Sequence, residues 1–519
     1  MHRNSRRGFL ADVGKGMLIG SVGPALAVDL GLAPVFADEV ADRLSFGTLE
    51  PLVALMQETP PDKLQPRLVK NLKSGTDLRT MVAAAALANA RTFGGQDYVG
   101  FHTIMALAPA FEMAAELPKL WQPLPVLKVL YRNANRIQEF GGRKNEVLHP
   151  IEPAVLPKGA AGGELLRTAT RRAKFDQADR TFAALAKQPV GEAFNHLQFV
   201  VQDEINVHRV VLAWRSWVLL DYAGPKHAHT LLRQSVQFCV NHEQRRQRAK
   251  RPDPPIRTVL PKLLDQYRLL SRDLGQRQAD DAWINELSRP IFASEREQAA
   301  DAAAAALAEG FDPEAVGEAI SVAANLLVLH DPGRQKANMG PNGNKPVGSV
   351  HGDSVGVHAS DAANAWRNIA RVSNRRNTVA SMIVGAYHTA GRAGRVNKQP
   401  YPLTEHLEKV RSNDPKTLLK DADAAIRDKD QFRASALIQR YGESGHATRP
   451  VFDLLLRYAT SENGALHAEK YYRTVTEEFA TTRSAFRWRQ LVALARVTAS
   501  EYGNPAPGYE QARELLGLT

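Results

Sequence analysis

The sequence predicts an all-α protein, three or four helical-hairpin units packed around a shared centre, without a substantial β-sheet. Three observations carry this. Nearly every stretch between proline or glycine breaks has apolar residues at helical period, with Ala, Leu, Arg, Glu and Gln prominent. Two stretches, Met81 to Ala88 and Ala302 to Ala308, are alanine-rich helices suited to close packing. No run of alternating β-branched residues is bounded by turn signals.

Along the chain, residues 1–37 form a unit of their own. Ser5-Arg6-Arg7-Gly8-Phe9-Leu10 precedes a Gly/Ala/Leu stretch, Gly14 to Ala27, which is too short to span a membrane. Val35-Phe36-Ala37 then supplies a cleavage context ahead of Asp38-Glu39. The segment resembles a twin-arginine (Tat) signal peptide, with Ala11 at the position of the usual lysine. The resemblance implies recognition by the Tat translocation machinery, export in the folded state and a periplasmic or extracellular location. Losing four basic and two acidic residues with this segment would lower the formal charge from +12 to +10. No later segment offers a membrane span, and an exported protein of this charge is not expected to bind nucleic acid.

The remainder divides at its breaks. Residues 38–250 hold two expected helical units. Residues 251–396 hold a helical linker and a third unit, with a Gly/Pro/Asn-rich insertion at 331–354. Residues 397–519 hold a C-terminal helical region with a possible fourth unit. The basic run Arg245 to Arg251 lacks interleaved aromatics and stands before a Pro-rich break, so it is read as a solvated helix terminus.

One short pattern recurs. It stands as Asp97-Tyr98-Val99-Gly100-Phe101-His102, Asp203-Glu204-Ile205-Asn206-Val207-His208 and Asp353-Ser354-Val355-Gly356-Val357-His358. A looser fourth copy is Glu462-Asn463-Gly464-Ala465-Leu466-His467. The histidines are 106, 150 and 109 residues apart. The long spacing has a source: Val-Gly-Glu-Ala begins 18 residues before His208, at Val190, and 42 before His358, at Val316. The extra 24 residues match the insertion, a candidate loop or lid over a site.

With one cysteine, Cys239, the chain has no disulfide framework, no CxxC site and no cysteine-rich zinc site. CxxCH, HExxH, GxSxG and GxxxxGK(S/T) are also absent. Any metal must therefore be held by nitrogen and oxygen. His102, His208, His358 and His467 are the candidate ligands, with His388 and His351 as secondary candidates. Asp97, Asp203, Asp353 and Glu462 are candidate acceptors for the distal ring N–H groups, and Lys470, one turn after His467, borders the same face. A divalent metal is expected, most favourably Fe, with Zn, Cu or Mn open. The competing account of the pattern is a repeated N-cap followed by a packed core histidine. His227, His229, His242 and His446 are read as solvated. Tyr98, Trp366 and Tyr387 are candidate pocket residues.

Four widely spaced histidines on a helical scaffold resemble the questin-oxidase-like group of four-histidine non-haem iron oxygenases. The resemblance rests on His102, His208, His358 and His467 alone, and no lysine motif of that group is matched. It implies an iron oxygenase acting on a small organic substrate. The alternatives are a metal-dependent hydrolase and a non-catalytic exported scaffold that binds a cell-envelope partner.

Overall fold

In a computed structural model, residues 43–340 and 343–518 are described. The Tat-like segment lies outside them. The expected all-α architecture is present: the described chain is a succession of helices, and its one sheet is a two-stranded hairpin. Both alanine-rich stretches are helical, within Leu78–Phe93 and Arg296–Ala308. From Met81 to Phe93 the first of these is buried all round, as a helix with small side chains on every face can be. No described helix is long and apolar enough to cross a membrane.

Four helices organise the centre: α1 (Tyr98–Glu116), α2 (Val207–Val218), α3 (Val355–Val372) and α4 (His467–Thr481). They pack in a closed cycle in chain order, α1 on α2, α2 on α3, α3 on α4 and α4 on α1. Each is braced by a helix that follows it: Pro123–Glu139 on α1, Ala228–Arg248 on α2, Arg375–Thr389 on α3 and Ser484–Glu501 on α4. Two hydrophobic cores flank the cycle. The larger takes in the first two thirds of the chain, and the smaller is built mainly from residues 418–499 with Met113, Val328, Val350 and Val357.

The two Val-Gly-Glu-Ala segments lie early in Val190–Val201 and Pro313–Leu329, the helices that directly precede α2 and α3. The extra residues before α3 are indeed the insertion. Within it β1 (Asn338–Gly340) pairs antiparallel with β2 (Gly343–Lys345). At its base Arg334 N–H donates to Ser349 O and Gly348 N–H to Arg334 O, at 3.0 and 2.9 Å. Gly333 permits that stitching, because its φ is +81° and a Cβ there would stand 2.1 Å from Gly348 O.

Candidate functional site

The four recurrent histidines come together. Each sits at or near the N-terminal turn of its helix: fifth residue of α1, second of α2, fourth of α3 and first of α4. His102 Nε2 lies 3.1 Å from His208 Nε2, and His358 Nε2 lies 3.3 Å from His467 Nε2. The ring centroids close a quadrilateral, His102–His208 at 4.6 Å, His208–His358 at 5.6 Å, His358–His467 at 5.4 Å and His467–His102 at 5.2 Å. His102 and His467 are buried, whereas His208 and His358 keep partial exposure. Phe101 stacks on His102 at 5.0 Å, and the exposed ring of Tyr98 covers His102 at 4.4 Å.

Tautomers follow from the outer contacts. His102 Nδ1 faces Tyr98 O at 2.7 Å, and His467 Nδ1 faces Gly464 O at 3.2 Å. A carbonyl only accepts, so Nδ1 carries the proton in both rings and each neutral ring turns an Nε2 lone pair inward. The rings are held neutral. Burial and the neighbouring Lys470 push His102 and His467 well below the usual histidine range, and the same causes push His358 down to about 4. Lys470 is itself buried, and burial drives its ammonium down to about 8 against the pull of Asp361 and Glu469.

Local backbone makes His467 unusual. Gly464, Ala465 and Leu466 have φ of +45°, +49° and +67°, so three successive left-handed residues swing the chain into α4. For Ala465 and Leu466 this conformation costs of order 1–3 kcal/mol each, held by surrounding structure. Gly352, in the insertion, seats directly on His467: a Cβ there would come within 2.2 Å of His467 Cβ. The insertion therefore forms part of the wall of the cluster.

The acids five residues upstream do not do what was expected. Asp97 accepts from Gly100 N–H and is clamped by Arg136, with contacts of 2.9 and 2.6 Å. Asp203 is held by Arg171 and Arg257. Asp353 is held by Arg334 at 3.1 Å and Lys345 at 3.0 Å. Glu462 accepts from Asn504 N–H at 2.8 Å. Backbone carbonyls take the ring N–H groups of His102 and His467 instead, while the acids are occupied by the partners just named. The repeated N-cap also holds only once. Asp97 caps α1, but Asn206 caps α2, Ser354 caps α3, and α4 has no side-chain cap.

The secondary candidates stand apart. His388 Nδ1 accepts from Trp366 Nε1 at 3.2 Å in the packed core of α3 and its partner helix. Buried His351 pairs through Nδ1 with Glu501 at 3.2 Å. Trp366 and Tyr387 are core residues, so Tyr98 alone of the three pocket candidates touches the cluster. His227, His229 and His242 are corrected from solvated to packed, on Phe46, Phe182 and Phe238 respectively. Phe46 and Phe182 are dozens of residues from their histidines and leave no local trace, whereas Phe238 lies one helical turn before His242.

The fit to a metal ion can be tested on distances. Two imidazole nitrogens bound at about 2.0–2.1 Å, at tetrahedral to right angles, lie about 2.9–3.4 Å apart. Both observed Nε2 pairs fall in that range. Among the described residues, however, no group of three or more His, Cys, Asp or Glu side chains is placed so that it could hold a metal ion. The rings approach as two pairs, and in each pair one Nε2–H can donate to the inward lone pair of the other. Donor chemistry, neutrality and pair spacing fit an ion; enclosing it requires the two pairs to close on one point. No family model, curated protein or solved structure matches this chain.

Proposed function

We propose that His102, His208, His358 and His467 hold a divalent metal, iron in the first place, and that the protein is an exported oxidoreductase of small organic substrates. The observation that carries the reading is the approach of four neutral imidazoles, with inward lone pairs on His102 and His467 and Nε2 pairs at 3.1 and 3.3 Å. A packed core has no need to bring four such groups to one place, since each buried polar nitrogen must be satisfied separately. A helical cycle offering side chains to its centre is a common way of building a metal site.

Bound iron supplies one-electron and dioxygen chemistry. The chain's own part is to keep the donors unprotonated, orient the rings and limit water. Burial and Lys470 do the first, the carbonyls of Tyr98 and Gly464 do the second, and Phe101 and Tyr98 do the third. Four neutral ligands leave the ion's charge uncompensated, and Lys470 adds to it. An anionic ligand is therefore favoured beside the histidines.

Elemental analysis of the protein folded in its native host tests the reading. One iron per chain, lost on replacing His102 or His467 by Ala, is the expected result. Folded protein without bound metal would overturn it in favour of a scaffold, and stoichiometric zinc would redirect it to a hydrolase.

A further inference from the structure

Against the first turn of α3 lies a cavity of about 560 Å³. One wall is Ser354, Val355 and Gly356, the N-cap and first two residues of the helix that carries His358. Leu327, Pro332 and Val396 extend its apolar side. The volume is that of a small-molecule site rather than a packing defect.

Its charges are unevenly settled. Arg334 is engaged with Asp353, which also takes Lys345, and Asp331 accepts from Gly333 N–H at 2.8 Å. Arg392 and Arg395, on the short turn after Arg375–Thr389, have no ion pair among the described residues, and neither has Arg296 nearby. Arg392 Nε is buried without a hydrogen-bond partner. Burial and the charges of Arg296 and Arg395 all work against the Arg392 guanidinium, yet no carboxylate answers it. A partly buried guanidinium among like charges is expensive unless an anion joins it. The Arg392 charge is also felt at His358 of the cluster and at His388, lowering both.

We propose that this cavity binds a small organic carboxylate, with Arg392 and Arg395 gripping the carboxylate and Leu327, Val355 and Val396 receiving the hydrocarbon body. Guanidinium forks match the two oxygens of a carboxylate, and the N-terminal end of α3 favours the same charge. Resting on the metal reading above, the bound acid is the substrate of the histidine centre or the anion that completes it. Such a carboxylate also accounts for the apolar half of the wall, which an inorganic anion leaves unused.

The test uses the full chain, treated with chelator so that no metal competes for the acid. Equilibrium dialysis with labelled benzoate should show saturable binding, weakened at least tenfold in the double variant Arg392→Gln, Arg395→Gln. Benzamide, which keeps the ring and lacks the charge, should bind at least tenfold more weakly than benzoate. The double variant should bind Co(II) as the wild type does, and the pair His102→Ala, His467→Ala should keep benzoate while losing Co(II). Undiminished benzoate binding in the arginine variant, equal binding of benzamide, or no benzoate binding by the wild type would each overturn the proposal. Benzoate binding without any Co(II) binding by the wild type would instead overturn the metal reading and leave the carboxylate site standing.

Discussion

Replacing Gly352 by Ala is the most direct probe of how the insertion and the histidine cluster depend on each other. The backbone at Gly352 is not left-handed, so alanine is conformationally acceptable and the effect is purely one of space. The new methyl would arrive 2.2 Å from His467 Cβ, whereas carbon atoms rest at about 3.5–4.0 Å. One side must retreat by more than about 1 Å. The Gly352 side is tied, since its N–H donates to Glu501 at 2.9 Å and Val350 N–H donates to Ser500 at 3.2 Å. The His467 side is tied by the three left-handed residues before it. Overpacking of this kind costs about 1–3 kcal/mol, too little to unfold a chain with cores of this size. Metal–ligand distances tolerate only about 0.2 Å, so a ring displaced by this much is lost as a ligand. The expected result is Co(II) affinity reduced by more than about 100-fold, beyond the range for loss of an outer hydrogen bond. Far-UV circular dichroism should be unchanged. Titration of Co(II) followed by its visible d–d absorption is the assay. A Gly352→Ala protein that binds Co(II) within threefold of wild type, with the same spectrum, would show that His467 is not seated by the insertion as argued.

Other consequences are as testable. Fe(II) or Co(II) at 100 times its Kd should stabilise the fold by about 2.7 kcal/mol, read as a rise in Tm that EDTA reverses and that is absent in His358→Ala. Lys128→Met should cost about 3–5 kcal/mol in chemical denaturation, because it removes the ion-pair partner of buried Glu469 at 2.7 Å and frees the carbonyls of Ala459 and Glu462. Acid should destabilise the metal-free protein early. His388, held down to about 3 by burial, Arg392 and Arg296, and the four cluster histidines, also lowered, stay neutral when folded. Unfolded, they titrate near 6.5, so the unfolded chain binds more protons below that value. Stability is then full above about pH 6.5 and falls towards the folded pKa values, each histidine adding up to about 1.4 kcal/mol per pH unit. Tm measured from pH 7 to pH 4 should drop throughout, and a flat profile across that window would contradict the burial of these rings.

Helical period and alanine content made the fold class legible, because a helix records its buried face in its own sequence. The hairpin in the insertion was not legible: β1 and β2 are three residues each, Gly/Asn/Lys-rich, and carry no alternating apolar pattern in sequence. The cluster was legible as a pattern, while its outer contacts were not. Which group receives a ring N–H is decided by helix register, and the four histidines occupy four different helical positions, so one spacing rule cannot serve them all. The seat of His467 on Gly352 and the unanswered Arg392 are contacts between distant segments, with no local signature.

That the pattern nonetheless picks out four histidines that the fold brings together needs a physical reason, since its acids neither reach the rings nor, with one exception, cap the helices. Three of the four acids meet basic side chains from elsewhere: Asp97 meets Arg136 of the next helix, Asp203 meets Arg171 and Arg257, and Asp353 meets Arg334 and Lys345 of the insertion. The acid thus fixes the point at which the chain enters its helix, and the residues between acid and histidine set how far the ring lies from that anchor. A five-residue interval is long enough to turn from anchor into helix and short enough to transmit the anchor's position to the imidazole. Glu462 is the exception that supports the rule. Among the described residues it forms no ion pair but accepts from the Asn504 N–H, and there the backbone does the positioning instead, through three consecutive left-handed residues and the contact of Gly352 on His467. The fourth copy is loose in sequence because its ring is placed by a different device.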